Sequence, residues 1–289
     1  MSRLHSQLVT LIAALSTAVC AAGQVQAEPI ELDTPAGIAR GWLATVDLAD
    51  PAVDVRTLVR QTDSDGVAEL VSPEAWLTGD GYDLVVNANF FGATGDGAAR
   101  IVGLSVSDGV VVSRPRTFDG RYHPALVIGD NGRAKIGLFG TDAVSGAREA
   151  VAGVGGSATS ALPGTLLVDD GLNLGETARV QPTTRRPRTA IGVSEDGEAL
   201  FIIVVDGRQD GWSVGVTLPE LADLLIDRGA WDAVNLDGGG SSAFIWRQGD
   251  QVLSNRPSDG GYRSVAVSLG VRVGVRAVEN ASASQADKE

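Results

Sequence analysis

Short runs rich in Val, Ile and Leu, each closed by a turn signal, recur along this chain and restrict it to a β-dominated fold. The pattern predicts strands at 42–48, 53–58, 84–88, 101–107, 110–113, 125–128, 134–139, 189–193, 200–205, 243–247 and 252–253, with a closing strand inside 264–275. Asp108-Gly109, Asp130-Asn131-Gly132, Ser194-Glu195-Asp196-Gly197 and Gly249-Asp250 stand between consecutive runs as hairpin turns. One helix is well specified over 217–228. Thr217 caps it, Glu220 stands at the capping-box spacing, Pro219 falls in the first turn, and Gly229 follows Arg228 as terminator. Its face Leu221, Leu224 and Leu225 should pack on the sheet, and a second helix is expected around 73–77. The expected class is therefore α/β (α+β): a single domain with a mixed, largely antiparallel sheet and few packed helices. The Gly-, Ala- and Ser-rich stretch 144–160 reads as a long loop or flap near a site.

The ends of the chain read differently. Arg3 and His5 precede an apolar segment over 8–22, and Val25-Gln26-Ala27 follows as a small-x-small site, the order of a secretory signal peptide cleaved after Ala27. Residues 1–27 are thus expected as signal, 28–278 as one domain and 279–289 as a disordered tail. The segment is short for a span, so no stable membrane insertion is expected after cleavage, and the destination is periplasmic or extracellular. Cys20, the only cysteine, leaves with the signal, which removes disulfides, thiol nucleophiles and cysteine-bound metal from the mature chain. The formal net charge is −13, one unit more negative without Arg3, so the surface repels nucleic acid and captures an anion only through local arginines. His123 is the one histidine left, and it precedes Pro124 in a loop without a carboxylate signature, so it reads as a packing residue and not as part of a triad.

Chemistry concentrates at Asn235-Leu236-Asp237-Gly238-Gly239-Gly240-Ser241-Ser242. The apolar run 231–236 reads as a buried strand that delivers Asp237 to a sheet rim. Gly238, Gly239 and Gly240 allow positive φ and bare amides near an anion, and Ser241 and Ser242 add hydroxyls. A plain Asp-Gly turn would account for one glycine, not for three. Similar polar breaks follow other strands: Asn87-Ala88-Asn89-Phe90-Phe91-Gly92, Arg185-Arg186-Pro187-Arg188-Thr189-Ala190-Ile191-Gly192, Val205-Asp206-Gly207-Arg208, Asn255-Arg256-Pro257-Ser258 and Arg263-Ser264. Each has a bland reading as well. Arg188 can salt-bridge, Asp206 can serve a turn, Asn87 and Asn89 can cap backbone, Phe90 and Phe91 can be core, and Arg263 can sit on a sheet edge.

Taken in order, these segments together with Leu218-Pro219-Glu220-Leu221-Ala222 resemble the phosphodiester glycosidase family, over about 84–275. Ala243-Phe244 departs from the pattern, since family members often carry Thr and a smaller apolar residue there, which bears on substrate preference. The chain is similar to a stand-alone bacterial-type catalytic domain, without the cysteine-rich extension and anchor of animal members. The resemblance implies a glycoside hydrolase that cuts a sugar-1-phosphodiester at the anomeric C–O bond and releases a sugar and a phosphomonoester. The substrate would be a sugar phosphate or a phosphorylated glycan, exported or at the cell surface, such as an exopolysaccharide.

The residues permit that chemistry independently. Asp237 and Asp206 are the expected carboxylates at the anomeric carbon, one as nucleophile or stabiliser and one activating water. Arg188, the 238–240 backbone, Ser241 and Ser242 are expected to hold phosphate, with Asn89, Asn235 and Arg263 as further binding residues. No cofactor is required. Two alternatives stay open: a non-catalytic module that binds phosphorylated polysaccharide, and metal-assisted cleavage with Asp206, Asp237 and Asn235 as oxygen ligands. Sugar, acceptor and oligomeric state are not encoded in any motif.

Overall fold

A computed structural model describes residues 24–118, 121–154, 166–178 and 180–274. Every strand pairing among them is antiparallel, as the many hairpin signals require. The three largest sheets share one core. The first runs, in spatial order, Val25–Thr34, Gly37–Asp47, Ala199–Val205, Arg188–Val193, Asp232–Asn235, Val168–Asp169 and Leu172–Asn173. The second runs Gln251–Ser254, Phe244–Gln248, Leu84–Asn87, Ser268–Val273 and Val53–Leu58. The third runs Ala134–Leu138, Pro124–Gly129, Ala147–Ala152, Ser105–Ser107 and Val110–Ser113.

The strand Ala199–Val205 shows why its sequence is apolar throughout. Leu200, Ile202 and Val204 enter the core shared with the other sheets, whereas Phe201, Ile203 and Val205 pack on the opposite face. Side chains alternate along a strand, so a strand covered on both faces loses the polar half of the alternation. The cover on that second face is the helix Leu218–Ile226, through Leu218, Leu221, Ala222 and Leu225. The Thr217–Glu220 capping box forms as expected. Trp42 of the first sheet stacks on Phe244 of the second with ring centroids 5.8 Å apart, which locks the two sheets together.

Two expectations change. The expected single strand 101–107 is two strands, Ala98–Ile101 and Ser105–Ser107, broken at Gly103, where φ is +78° and a Cβ would stand 2.8 Å from Ala152 Cβ. The expected loop over 144–160 contains the interior strand Ala147–Ala152, whose alanines fit a crowded sheet centre where their weak strand propensity is overruled by packing. Residues 155–160 lie outside the described residues. The expected signal junction lies inside the strand Val25–Thr34, paired along its length with Gly37–Asp47, while residues 1–23 and the tail 279–289 lie outside the described residues.

Candidate active site

Antiparallel pairing gathers the polar strand ends at one rim. Arg188 opposes Val205, and Ala190 opposes Asn235. The entry Arg186-Pro187-Arg188, the exit Asp206-Gly207-Arg208 and the exit Asn235-Leu236-Asp237 therefore share one edge of the first sheet. The second sheet contributes Asn87 and Asn89 at the end of Leu84–Asn87, and Ser242 just before Phe244–Gln248.

Asn87 joins the two sheets at that rim. Its Oδ1 accepts from Thr189 Oγ1 at 2.7 Å and from the Ala243 amide at 3.0 Å, and its Nδ2 donates to the Asp237 carbonyl at 2.6 Å. The Asp237 amide donates to the Ala88 carbonyl at 3.0 Å. The backbone that presents Asp237 is thus held from both sheets. Asn89 is buried and holds the next segment, with Nδ2 donating to the Val102 and Leu104 carbonyls at 3.1 and 3.0 Å.

The glycines serve close approach more than anion binding. Gly239 takes φ +63°, and a Cβ on it would lie 3.2 Å from the Arg208 guanidinium. A Cβ on Gly238 would lie 2.9 Å from the Pro187 carbonyl oxygen, and one on Gly240 would lie 2.2 Å from Arg263 and Asp259 side-chain atoms. The amide of Gly238 donates to the Asp237 carboxylate, that of Gly239 to the Pro187 carbonyl, that of Ser241 to Gly238 and that of Ser242 to Gly239. The expectation of a row of bare amides is corrected for Gly238 and Gly239 on that ground, and the 3-10 turn over Gly239–Ser241 takes up the amides of Ser241 and Ser242.

Asp237 is the half-buried carboxylate of a cavity of about 240 Å³, which it shares with Arg186, Arg188, Arg208 and Asn235. Burial pushes its pKa up from 3.8 to about 6, opposed by hydrogen bonds from Ser241 and the Gly238 amide and by the charge of Arg263. Ser241 thereby orients the carboxylate. Ser242 is buried, and its Oγ has no hydrogen-bond partner among the described residues. Arg263 pairs with Asp259 and lies against Gly240, on the other side of the turn from Arg208.

The three arginines of the cavity divide into two kinds. Arg188 is buried and spends its guanidinium on carbonyls: Nη1 on Val180 at 3.0 Å, Nη2 on Gln181 at 2.8 Å and Thr184 at 2.9 Å, and Nε on Val216 at 3.5 Å. It fixes a loop in which Val180 and Gln181 both adopt positive φ, +72° and +58°. Burial, reinforced by the charges of Arg186 and Arg208, lowers its pKa to about 10. Arg186 and Arg208 are the other kind. Among the described residues neither side chain pairs with a carboxylate, and the buried Arg186 Nε has no hydrogen-bond partner. In so acidic a chain, two guanidiniums in one small cavity that pair with no carboxylate among the described residues suit an anion. Both residues stand inside the motifs at the strand ends, and no local sequence signal separates them from Arg188. Their closeness is tertiary: a Cβ on Gly207 would lie 2.7 Å from Pro187 N, so the Arg208 loop lies against the Arg186 segment.

Asp206 is not in the cavity lining. It is buried beneath the rim with both oxygens occupied by N–H donors, Trp212 Nε1 at 2.9 Å, Asn255 Nδ2 at 2.9 Å and the Arg256 amide at 3.1 Å to each oxygen. These donors already engage both carboxylate oxygens, and Asp206 is not among the carboxylates that lie close enough to share a cation among the described residues. Asn235 lines the cavity with its Oδ1 buried and unpartnered. The group of carboxylates close enough to share a cation among the described residues is Asp169, Asp170 and Asp232, at the opposite end of the strand Asp232–Asn235.

Comparison with known proteins follows the same boundaries. Residues 80–272 match the family model described as phosphodiester glycosidase. N-acetylglucosamine-1-phosphodiester alpha-N-acetylglucosaminidase of Bos taurus is 38% identical over 72 residues, covering 25% of this chain and 12% of that enzyme. The SPbeta prophage-derived uncharacterized protein YomE of Bacillus subtilis (strain 168) is 32% identical over 195 residues, covering 64% of this chain and 27% of that protein. The matched part thus spans less than a third of either relative's length. The catalytic domain of the zebrafish N-acetylglucosamine-1-phosphodiester alpha-N-acetylglucosaminidase, solved auto-inhibited by its pro-peptide, superposes with a TM-score of 0.64 at 18% identity. That match covers 87% of this chain and 84% of the zebrafish chain, and at such identity it is a likeness of fold.

Proposed function

The chain belongs to the phosphodiester glycosidase family, and from that membership we propose that it hydrolyses a sugar-1-phosphodiester at the anomeric C–O bond. The observation that carries this reading is the pairing of one desolvated carboxylate, Asp237, with two unpaired arginines, Arg186 and Arg208, in a single cavity. The arginines match the phosphate charge, which is present in the substrate and grows as the phosphomonoester departs. Asp237, raised in basicity by burial, assists attack at the anomeric carbon. A water oxygen bonds to that carbon, the C–O bond to phosphate breaks with its electron pair leaving on the phosphate oxygen, and the water proton passes through Asp237 to solvent. A phosphomonoester leaves readily, so a second carboxylate acting as strong acid is not needed. This suits the position of Asp206 outside the cavity.

Hydrolysis of a sugar-1-phosphodiester in ¹⁸O-labelled water should place the label in the sugar. Label found in the phosphate would mean cleavage on the phosphorus side and would reject the proposal. Phosphate-bearing glycan that binds at the cavity with no turnover would favour a binding module instead.

The order Arg3, apolar segment, Val25-Gln26-Ala27 supports export, with a glycan outside the cytoplasm as substrate. Amino-terminal sequencing of exported protein should begin at Glu28. Uncut protein retained in the cytoplasm would contradict export.

A further inference from the structure

Two loops flank the Gly238–Gly240 turn, and both are anchored on one buried carboxylate. The 206–213 loop carries Arg208, which takes φ +58° and lays its guanidinium against Gly239. Its base is closed by Ser213 Oγ, which donates to the Asp206 carbonyl at 2.6 Å, and by Trp212 Nε1, which donates to Asp206 Oδ2 at 2.9 Å. The Arg40 and Arg256 guanidiniums lie over the Trp212 indole, 5.0 and 5.6 Å from its ring centroid. The second loop leaves Asn255 and leads to Asp259 and Arg263, which press on Gly240. Asn255 Nδ2 donates to Asp206 Oδ1 at 2.9 Å and to the Ser242 carbonyl at 3.3 Å, while its Oδ1 accepts the Phe244 amide at 2.8 Å. Gln209 Nε2 bridges the loops by donating to the Arg256 carbonyl at 2.8 Å.

We propose that Asp206 is a positioning residue that sets Arg208 for phosphate by tying these two loops together, and that it never touches substrate. The inference rests on the reading of the cavity as a phosphate site. A left-handed arginine is costly and persists only where its surroundings hold it. Here the hold runs from Asp206 through Trp212 and Arg256. The carboxylate is buried outside the cavity lining, and three N–H donors hold its two oxygens, so it is not placed to meet a water or a sugar there.

Binding of inorganic phosphate, measured by calorimetry, tests this apart from any turnover. Relative to the unaltered protein, D206N should bind phosphate roughly tenfold or more weakly, because an NH₂ group would then face N–H donors and release the loop. W212F, which removes the indole donor and keeps an aromatic ring beside Arg40 and Arg256, should weaken binding in the same direction by roughly threefold, and it carries the test if D206N fails to fold. D206N in the R208A background should add little to R208A alone, since the two residues act as one unit. In hydrolysis assays D206N should raise KM more than it lowers kcat and should keep the acid limb of the pH profile. Unaltered phosphate binding in D206N and W212F, additive losses in the double variant, or a kcat collapse at constant KM with a lost limb would each overturn the proposal. Absence of phosphate binding in the unaltered protein would overturn it together with the anion site. If no sugar phosphodiester is cleaved yet phosphate binding follows the coupled pattern, the positioning role stands and the hydrolytic reading falls.

Discussion

Asp237→Asn should lower turnover by about a hundredfold or more, the scale of a lost transition-state charge interaction, and should at the same time stabilise the protein at neutral pH. Both effects come from one cause. Burial raises the Asp237 pKa from 3.8 to about 6, so the charged form that hydrolysis uses is the form the fold disfavours. Between those two values the folded state binds more protons than the unfolded state, and stability therefore falls as pH rises through that window. A neutral asparagine escapes this penalty, which amounts to about 2 kcal/mol above pH 6 after allowance for the partial exposure of the group. The gain should vanish near pH 4, where the native carboxyl is itself protonated. The activity profile mirrors this: kcat/KM should climb through about pH 6 and then level off. Thermal melts at both pH extremes, with rates on the same preparations, give the answer. Near-normal turnover in Asp237→Asn, or a destabilisation independent of pH, would mark the carboxylate as structural.

The arginines of the cavity should separate in a parallel series. Arg208→Ala and Arg186→Ala each remove a guanidinium that pairs with no carboxylate among the described residues, so the fold should be little affected. Substrate should bind more weakly and turn over more slowly together, because the phosphate charge acts in the ground state and more strongly as the group departs. A charge-assisted hydrogen bond contributes about 1.5–3 kcal/mol, so kcat/KM should fall by about 10- to 100-fold for each. Arg188→Ala should do something else. It strips donors from the carbonyls of Val180, Gln181, Thr184 and Val216, and the strained 180–181 backbone loses its hold. Its main effect should be a loss of stability of about 3 kcal/mol or more, visible in denaturant melts without substrate. Equal stability losses for all three variants would dissolve the distinction.

The sequence by itself determined the β-rich class, most strand positions, the capped helix at Leu218–Ile226 and the concentration of polar groups at strand ends. Those features are local: alternation, turn chemistry and a capping box are written within a few residues of one another. The segment Asn235 to Ser242 was legible for the same reason, since a buried run that breaks into a carboxylate and glycines is a local event. The tertiary structure alone decided what each polar group does. Arg186 and Arg188 are two residues apart and chemically identical, yet Arg188 meets four backbone carbonyls while Arg186 meets none among the described residues. Asp206 and Asp237 both end buried strands before glycine, yet only the second opens on the cavity, because the first is met by donors from Trp212, Asn255 and Arg256. The strand Ala147–Ala152 was hidden in a run of small residues because its stability comes from the neighbours on either side of it. A side chain's partners come from segments distant in sequence, and hydrogen-bond donors at 3 Å decide between structure and chemistry in a way that residue type does not.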